Sequence, residues 1–200
     1  MKDSFKFKKT LAFVQKHHTG QFRDNGLPAW YHLLRVSHIL SSLLKETKEG
    51  KESGDYTIIS RAALGHDIFE DTKVTEKEVL VVFGARGLTL IRGMTNWWGD
   101  KEKPRYIKQI CASEEAVRLI KLADLCDNYT SVVYNIKSLG VPWTKFYFLP
   151  IVSPMREAIS KTTFRTYKKS AEILLRAIHR AALLLEEEVI QLSHTPRKLT

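Results

Sequence analysis

Cysteine is nearly missing: Cys111 and Cys126 are the only two in 200 residues. A chain this long can bury one substantial core without covalent staples, so free thiols in a reducing cytoplasm are expected. Long apolar runs are missing too. Charges interrupt every candidate span, and stretches such as Ala181 to Leu185 fall far short of the roughly 20 apolar residues a membrane helix needs. No membrane association is expected. Met1 to Lys9 alternates charge with aromatics and offers neither the apolar core nor the cleavage site of a secretory signal. There is no serine nucleophile elbow, P-loop, glycine-rich dinucleotide fingerprint or Cys-x-x-Cys pair, so those mechanisms have no foothold.

Acidic residues are the minority charge, 22 against 32 basic, for a net of +10. Such a surplus concentrates polyanions near the surface. The basic residues are dispersed from Lys6 to Lys198 with no aromatic-interleaved motif among them, so steering of a phosphate ligand fits better than nucleic-acid binding.

Helical spacing dominates and strand-like alternation is scarce, so the fold is read as all-α, one helical bundle over 1–200 with closing helices across 140–192. A first helix is expected to end near His18, a loop to run from Gly20 to Pro28, and a second helix to bury Leu33, Val36, Leu40 and Leu43. Asp55 to His66 reads as a third helix. Thr75 followed by Glu78 is a capping-box pattern, which predicts a helix stopping before Gly84 and another over Ala85 to Met94. Trp97 to Pro104 reads as a loop or short insertion. Ser113 is the expected N-cap of a long helix through about Ile136. Val141-Pro142 marks a break. Thr163 to Leu192 reads as a last helix with Ile173, Leu174, Ala177, Ala181 and Leu184 as its core stripe, and a frayed tail is expected from Ser193.

Chemistry concentrates in His66-Asp67-Ile68-Phe69-Glu70-Asp71-Thr72, with four potential ligands or bases in six residues. Hydrolysis at a metal needs imidazoles and carboxylates converging on one ion with positions left open. His32 and Asp124 can complete such a set from the neighbouring helices. The mixed nitrogen and oxygen donors suit Mn²⁺, and less distinctively Fe²⁺, Zn²⁺ or Mg²⁺. Glu70 and Asp71 stand where a carboxylate can orient water and take its proton. Taken alone, His66-Asp67 is as readily a chance pair at the edge of a solvated loop. Lys121, Asp124, Asn128 and Ser131 recur at spacings of three and four and share one polar helix face. His17, His38, His179 and His194 lack paired ligands at telling distances and read as surface or core-edge residues.

Taken together, His18-Thr-Gly-Gln21-Phe-Arg23, Gly26-Leu-Pro28-Ala-Trp-Tyr-His32, the His66 to Thr72 segment, Phe83-Gly84 to Gly93-Met-Thr95, and Lys121-Leu-Ala-Asp124 to Asn128 resemble the HD-domain hydrolases of the RelA/SpoT type. The resemblance runs over about 10–135 and is similar to the small alarmone hydrolases that include the animal Mesh-type enzymes. It implies a helical Mn²⁺ enzyme that removes the 3′-pyrophosphate of guanosine tetra- and pentaphosphate. It implies His32, His66, Asp67 and Asp124 as metal ligands, Glu70 and Asp71 as the pair handling the attacking water, and Arg23, Asn128 and Ser131 at the nucleotide. It leaves His18 as a structural histidine tying down the Gly20 loop. The chain departs from that pattern with Asp24 in place of a basic residue, Leu33 in place of Pro, Leu125-Cys126-Asp127 in place of Arg-Leu-His, and Thr130-Ser131 in place of Arg-Thr. The lost positive charge leaves open an adenosine alarmone, NADPH or another 3′-phosphorylated nucleotide as substrate, or a non-catalytic binding module. The oligomeric state is not read.

Overall fold

The computed structural model describes residues 2–51 and 54–194. The elements are α1 (Lys2–His17), α2 (Ala29–Thr47), α3 (Tyr56–Leu64), α4 (Ile68–Asp71), α5 (Glu76–Met94), α6 (Lys103–Ala112), α7 (Glu115–Leu139), α8 (Val141–Trp143), α9 (Leu149–Ser160) and α10 (Lys168–His194). A 3₁₀ turn precedes α6, and a π-helical turn over Thr144–Phe148 joins α8 to α9. Among the described residues there is no strand, only an isolated antiparallel bridge between Phe22 and Pro28 that closes the loop before α2. No helix among them is long and apolar enough to cross a membrane. Cys111 and Cys126 are free thiols.

α7 organises the core. Val117, Leu119, Ile120, Leu122, Ala123, Leu125, Tyr129 and Val132 are buried around most of its circumference, so it must be covered on several sides. α10 lies along it, and α2, α5 and α9 pack against it. α2 buries the expected Leu33, Val36, Leu40 and Leu43. Asp124 and Asp127 are buried on α7 as well, and a buried carboxylate requires partners.

The Thr75–Glu78 capping box is present in both directions. α5 breaks at Gly84, whose φ of 77° takes the left-handed region, so the predicted stop and restart coincide with that kink.

Other boundaries differ from the sequence reading. Lys103 and Pro104 open α6 rather than lie in a loop, since Pro in the first helical turn costs no hydrogen bond. Ser113 ends α6, donating its hydroxyl to the Gln109 carbonyl, and Glu114 takes the N-cap position of α7. The segment after Val141-Pro142 is helical through Ser160, inside the 140–192 range read as closing helices, and only its subdivision was not read. α10 starts at Lys168, and its buried face is Leu174, Ile178, Ala181 and Leu185, while Ile173 and Leu184 are exposed. Of the tail expected to fray from Ser193, residues 195–200 lie outside the described residues.

Candidate metal centre

Three segments bring the donors together. α2 presents His32 from its buried face. α3 ends at Gly65, where a Cβ would lie 2.5 Å from Phe83 Cζ, so only a bare backbone turns this close to the core. That turn sets His66 and Asp67 side by side before α4. α7 supplies Asp124.

Hydrogen bonds fix both imidazoles. His66 Nδ1 faces the Ala63 carbonyl at 2.7 Å, and because a carbonyl only accepts, Nδ1 carries the hydrogen. Its Nε2 is buried with no hydrogen-bond partner. His32 Nδ1 lies 2.7 Å from Asp127 Oδ2, and that carboxylate also accepts from Arg35 Nε and a terminal Arg35 nitrogen at 2.6 and 2.9 Å. Burial raises the Asp127 carboxyl, but the hydrogen bonds from His32 and Arg35 outweigh it and hold its pKa below the ordinary range. The ionised group can only accept, so His32 Nδ1 is the donor and its Nε2 lone pair points inward.

Inside, acceptors meet acceptors. His32 Nε2 is 3.1 Å from Asp124 Oδ1, and His66 Nε2 is 3.6 Å from that oxygen and 3.1 Å from Asp67 Oδ1. Ligating atoms of His32, His66 and Asp67 all lie within 4.8 Å of one another. Two imidazole nitrogens and two carboxylates facing each other call for positive charge between them, whether a proton or a cation. Burial works against a charged His66, yet Asp67 and then Asp124 overcome it and push its pKa up to about 9. The donor set and the orphaned Nε2 therefore fit a divalent cation.

Asp124 is held from outside by Lys121 Nζ on Oδ2 at 2.8 Å and by Asn128 Nδ2 on Oδ1 at 2.7 Å. Burial raises its pKa, but Lys121 and the two histidines outweigh it and keep it well below the carboxylate range.

Two cavities flank the cluster, and Asp67 lines both. One, of about 310 Å³, is bordered by His18, Phe22, Arg23, His32 and Asp71. The other, of about 180 Å³, is bordered by Glu70, Asn96, Lys103, Tyr106, Lys121 and Asn128. Glu70 and Asp71, expected to act as a pair, thus line different cavities. Burial, and then the charge of Asp67, pushes Glu70 up to about 7 while its carboxylate accepts the Asn96 N–H at 2.8 Å. The same two causes raise Asp71.

Arg23 donates to Asn128 Oδ1 at 2.6 Å, which joins the two at the cluster. Ser131 lines neither cavity and instead meets Asn25 Nδ2 at 3.3 Å. His18 Nδ1 pairs with Gln21 Oε1 at 2.7 Å, and Gln21 Nε2 donates to the Asp71 carbonyl at 2.6 Å, so His18 ties its loop to the acidic segment as expected. Arg35, Asn96, Lys103 and Tyr106 were not singled out in the sequence, and Asp127 was named only within the Leu125-Cys126-Asp127 departure, with no role. The available signal was spacing: Arg35 and Asp127 each stand three residues after a candidate ligand, on the same helix face.

No family model matches the chain. It is 33% identical over 139 residues to the guanosine-3′,5′-bis(diphosphate) 3′-pyrophosphohydrolase MESH1 of Danio rerio, covering 66% of this chain and 67% of that protein. Against the Drosophila melanogaster protein of the same name it is 31% identical over 137 residues, covering 66% and 72%. A Borreliella burgdorferi guanosine-3′,5′-bis(diphosphate) 3′-pyrophosphohydrolase is 31% identical over 178 residues, but this chain spans only 25% of its length, and only 16% of a similar Myxococcus xanthus GTP pyrophosphokinase. A solved metazoan orthologue of SpoT, described as hydrolysing ppGpp, superimposes with a TM-score of 0.67 at 26% identity, covering 90% of this chain and 97% of the other.

Proposed function

Because the chain belongs to the MESH1-like family of guanosine-3′,5′-bis(diphosphate) 3′-pyrophosphohydrolases, we propose that it hydrolyses the 3′-pyrophosphate of guanosine tetra- and pentaphosphate with Mn²⁺ held by His32, His66, Asp67 and Asp124. The observation that carries this reading is the buried, partnerless Nε2 of His66 facing the Asp67 and Asp124 carboxylates. A divalent ion there supplies Lewis-acid polarisation of the phosphate and a lowered pKa for water.

The chain's own groups do the rest. Glu70, with its pKa near 7, accepts the proton of the attacking water. Water attacks the phosphorus joined to the ribose 3′-oxygen, the P–O3′ bond breaks, and the proton held by Glu70 passes to the 3′-oxygen, so pyrophosphate leaves and a nucleotide with a free 3′-hydroxyl remains. Asp71 shares the handling of water from the larger cavity. Arg23 and Asn128 orient the nucleotide, with Ser131 one turn further along α7. The whole of 1–200 is read as one HD-type unit, supported by the packing of α10 along α7, and its setting as the cytoplasm. Asp24, next to Arg23, favours a second reading in which the same centre takes NADPH or an adenosine alarmone.

The test is incubation with Mn²⁺ and guanosine tetraphosphate, with and without EDTA, and resolution of products by anion exchange. Metal-dependent GDP and pyrophosphate are expected. Intact guanosine tetraphosphate beside cleaved NADPH would transfer the assignment to the second reading, and cleavage unaffected by EDTA would overturn the metal role.

A further inference from the structure

His32 and Arg35 on α2 face Asp124 and Asp127 on α7, two pairs each spaced by three residues, so one turn of each helix meets the other. The contacts within this ladder are unequal. Asp124 approaches His32 Nε2 from the cluster side, and Asp127 takes His32 Nδ1 from behind. Asp127 is 5% exposed and Arg35 closes on it with two parallel hydrogen bonds, so the carboxylate cannot swing away from the imidazole. Charge neutralisation alone would need only Arg35. Oδ2, however, serves both the arginine and His32, and a carboxylate oxygen has lone pairs for both.

We propose that Asp127, clamped by Arg35, is the positioning residue that makes His32 a metal donor. By accepting the Nδ1 hydrogen it fixes the ring's angle and tautomer, leaving Nε2 aimed at the cluster. This rests on the metal-centre reading above. Arg35 in turn holds Asp127 in place with two hydrogen bonds, so the relay runs from a half-exposed guanidinium, through two buried side chains, to the cluster.

The experiment titrates metal-free protein with Mn²⁺ and follows free Mn²⁺ by electron paramagnetic resonance, for the wild type, His32→Ala, Asp127→Asn and Arg35→Lys. Melting curves in EDTA control for folding. Asp127→Asn keeps an acceptor for Nδ1 but removes its charge, and should raise the Mn²⁺ Kd about 10- to 100-fold. Its kcat should return at saturating Mn²⁺, which a collapsed fold would not allow. Arg35→Lys keeps the charge but loses the fork, should shift Kd the same way by less, and carries the test if the Asn variant does not fold. Unchanged Kd in both variants, with metal lost in His32→Ala, would overturn the role of Asp127 and leave the metal centre standing. A wild type that takes up no Mn²⁺ would overturn both.

Discussion

At the residue scale, Glu70 owes its raised pKa first to burial and next to the charge of Asp67. A base acts only when deprotonated, so kcat/KM should fall as pH drops below an acidic limb. The midpoint of that limb should lie no higher than about 7, because a bound cation offsets the Asp67 charge. Glu70→Gln should lower kcat by about 10²- to 10⁴-fold, remove the limb, and leave Mn²⁺ stoichiometry intact, as measured by a pH–rate profile beside metal analysis. A limb that survives in the variant would assign it to another group. Gly65 sets the position of the neighbouring histidine by what it lacks. Gly65→Ala would drive a methyl into Phe83, which is buried and cannot retreat, so a loss of about 1–3 kcal/mol in chemical denaturation is expected together with weaker metal binding. The convergence of His32, His66, Asp67 and Asp124 was legible because histidines and acids in a fixed order are chemically distinctive. Asp127 was not, since a lone acid on a helix looks the same whether solvated or buried until its neighbour across the helix pair is known.

At the element scale, α10 takes a cap from a distant part of the chain. The Glu49 carboxylate accepts the N–H groups of Lys169 and Ser170 at 2.8 Å each and the Ser170 hydroxyl at 2.6 Å. The Glu115 carboxylate likewise takes the N–H groups of Arg165, Thr166 and Tyr167. Glu49→Ala strands those donors, and by analogy with lost helix caps it should cost about 1–2 kcal/mol, or a Tm drop of about 2–8 °C in a thermal melt. At α5 the Thr75 hydrogen bonds lower the Glu78 pKa. Their contribution is present at neutral pH and lost as pH falls from the ordinary carboxylate range through that lowered value. Thr75 and Glu78 were readable because the capping box is local. The start of α10 was not, because its cap comes from 120 residues away in the sequence. Helix was read across 140–192, but the bounds of α9 within it were hidden by punctuation: Pro150 sits in its first turn, where it costs nothing, and Pro154 lies inside a helix held by buried Val152, Met155 and Ile159.

At the scale of the whole molecule, the proposed centre would couple metal to fold. A ligand that binds only the native state stabilises it by RT ln(1 + [L]/Kd), about 2.7 kcal/mol at a hundredfold excess over Kd. Mn²⁺ should therefore raise Tm by about 5–10 °C in the wild type and leave Asp67→Ala unmoved, read by differential scanning fluorimetry in metal and in EDTA. Equal shifts in both would place the stabilising metal elsewhere. The donors come from positions 32, 66, 67 and 124, in three separate segments. A nascent chain emerging from the ribosome consequently presents histidines and acids long before it presents a chelating cage. On the proposed assignment, metal could not be captured at full strength until α7 had been made and had docked against α2, so cation loading would come late in biosynthesis and certify that the helices have assembled.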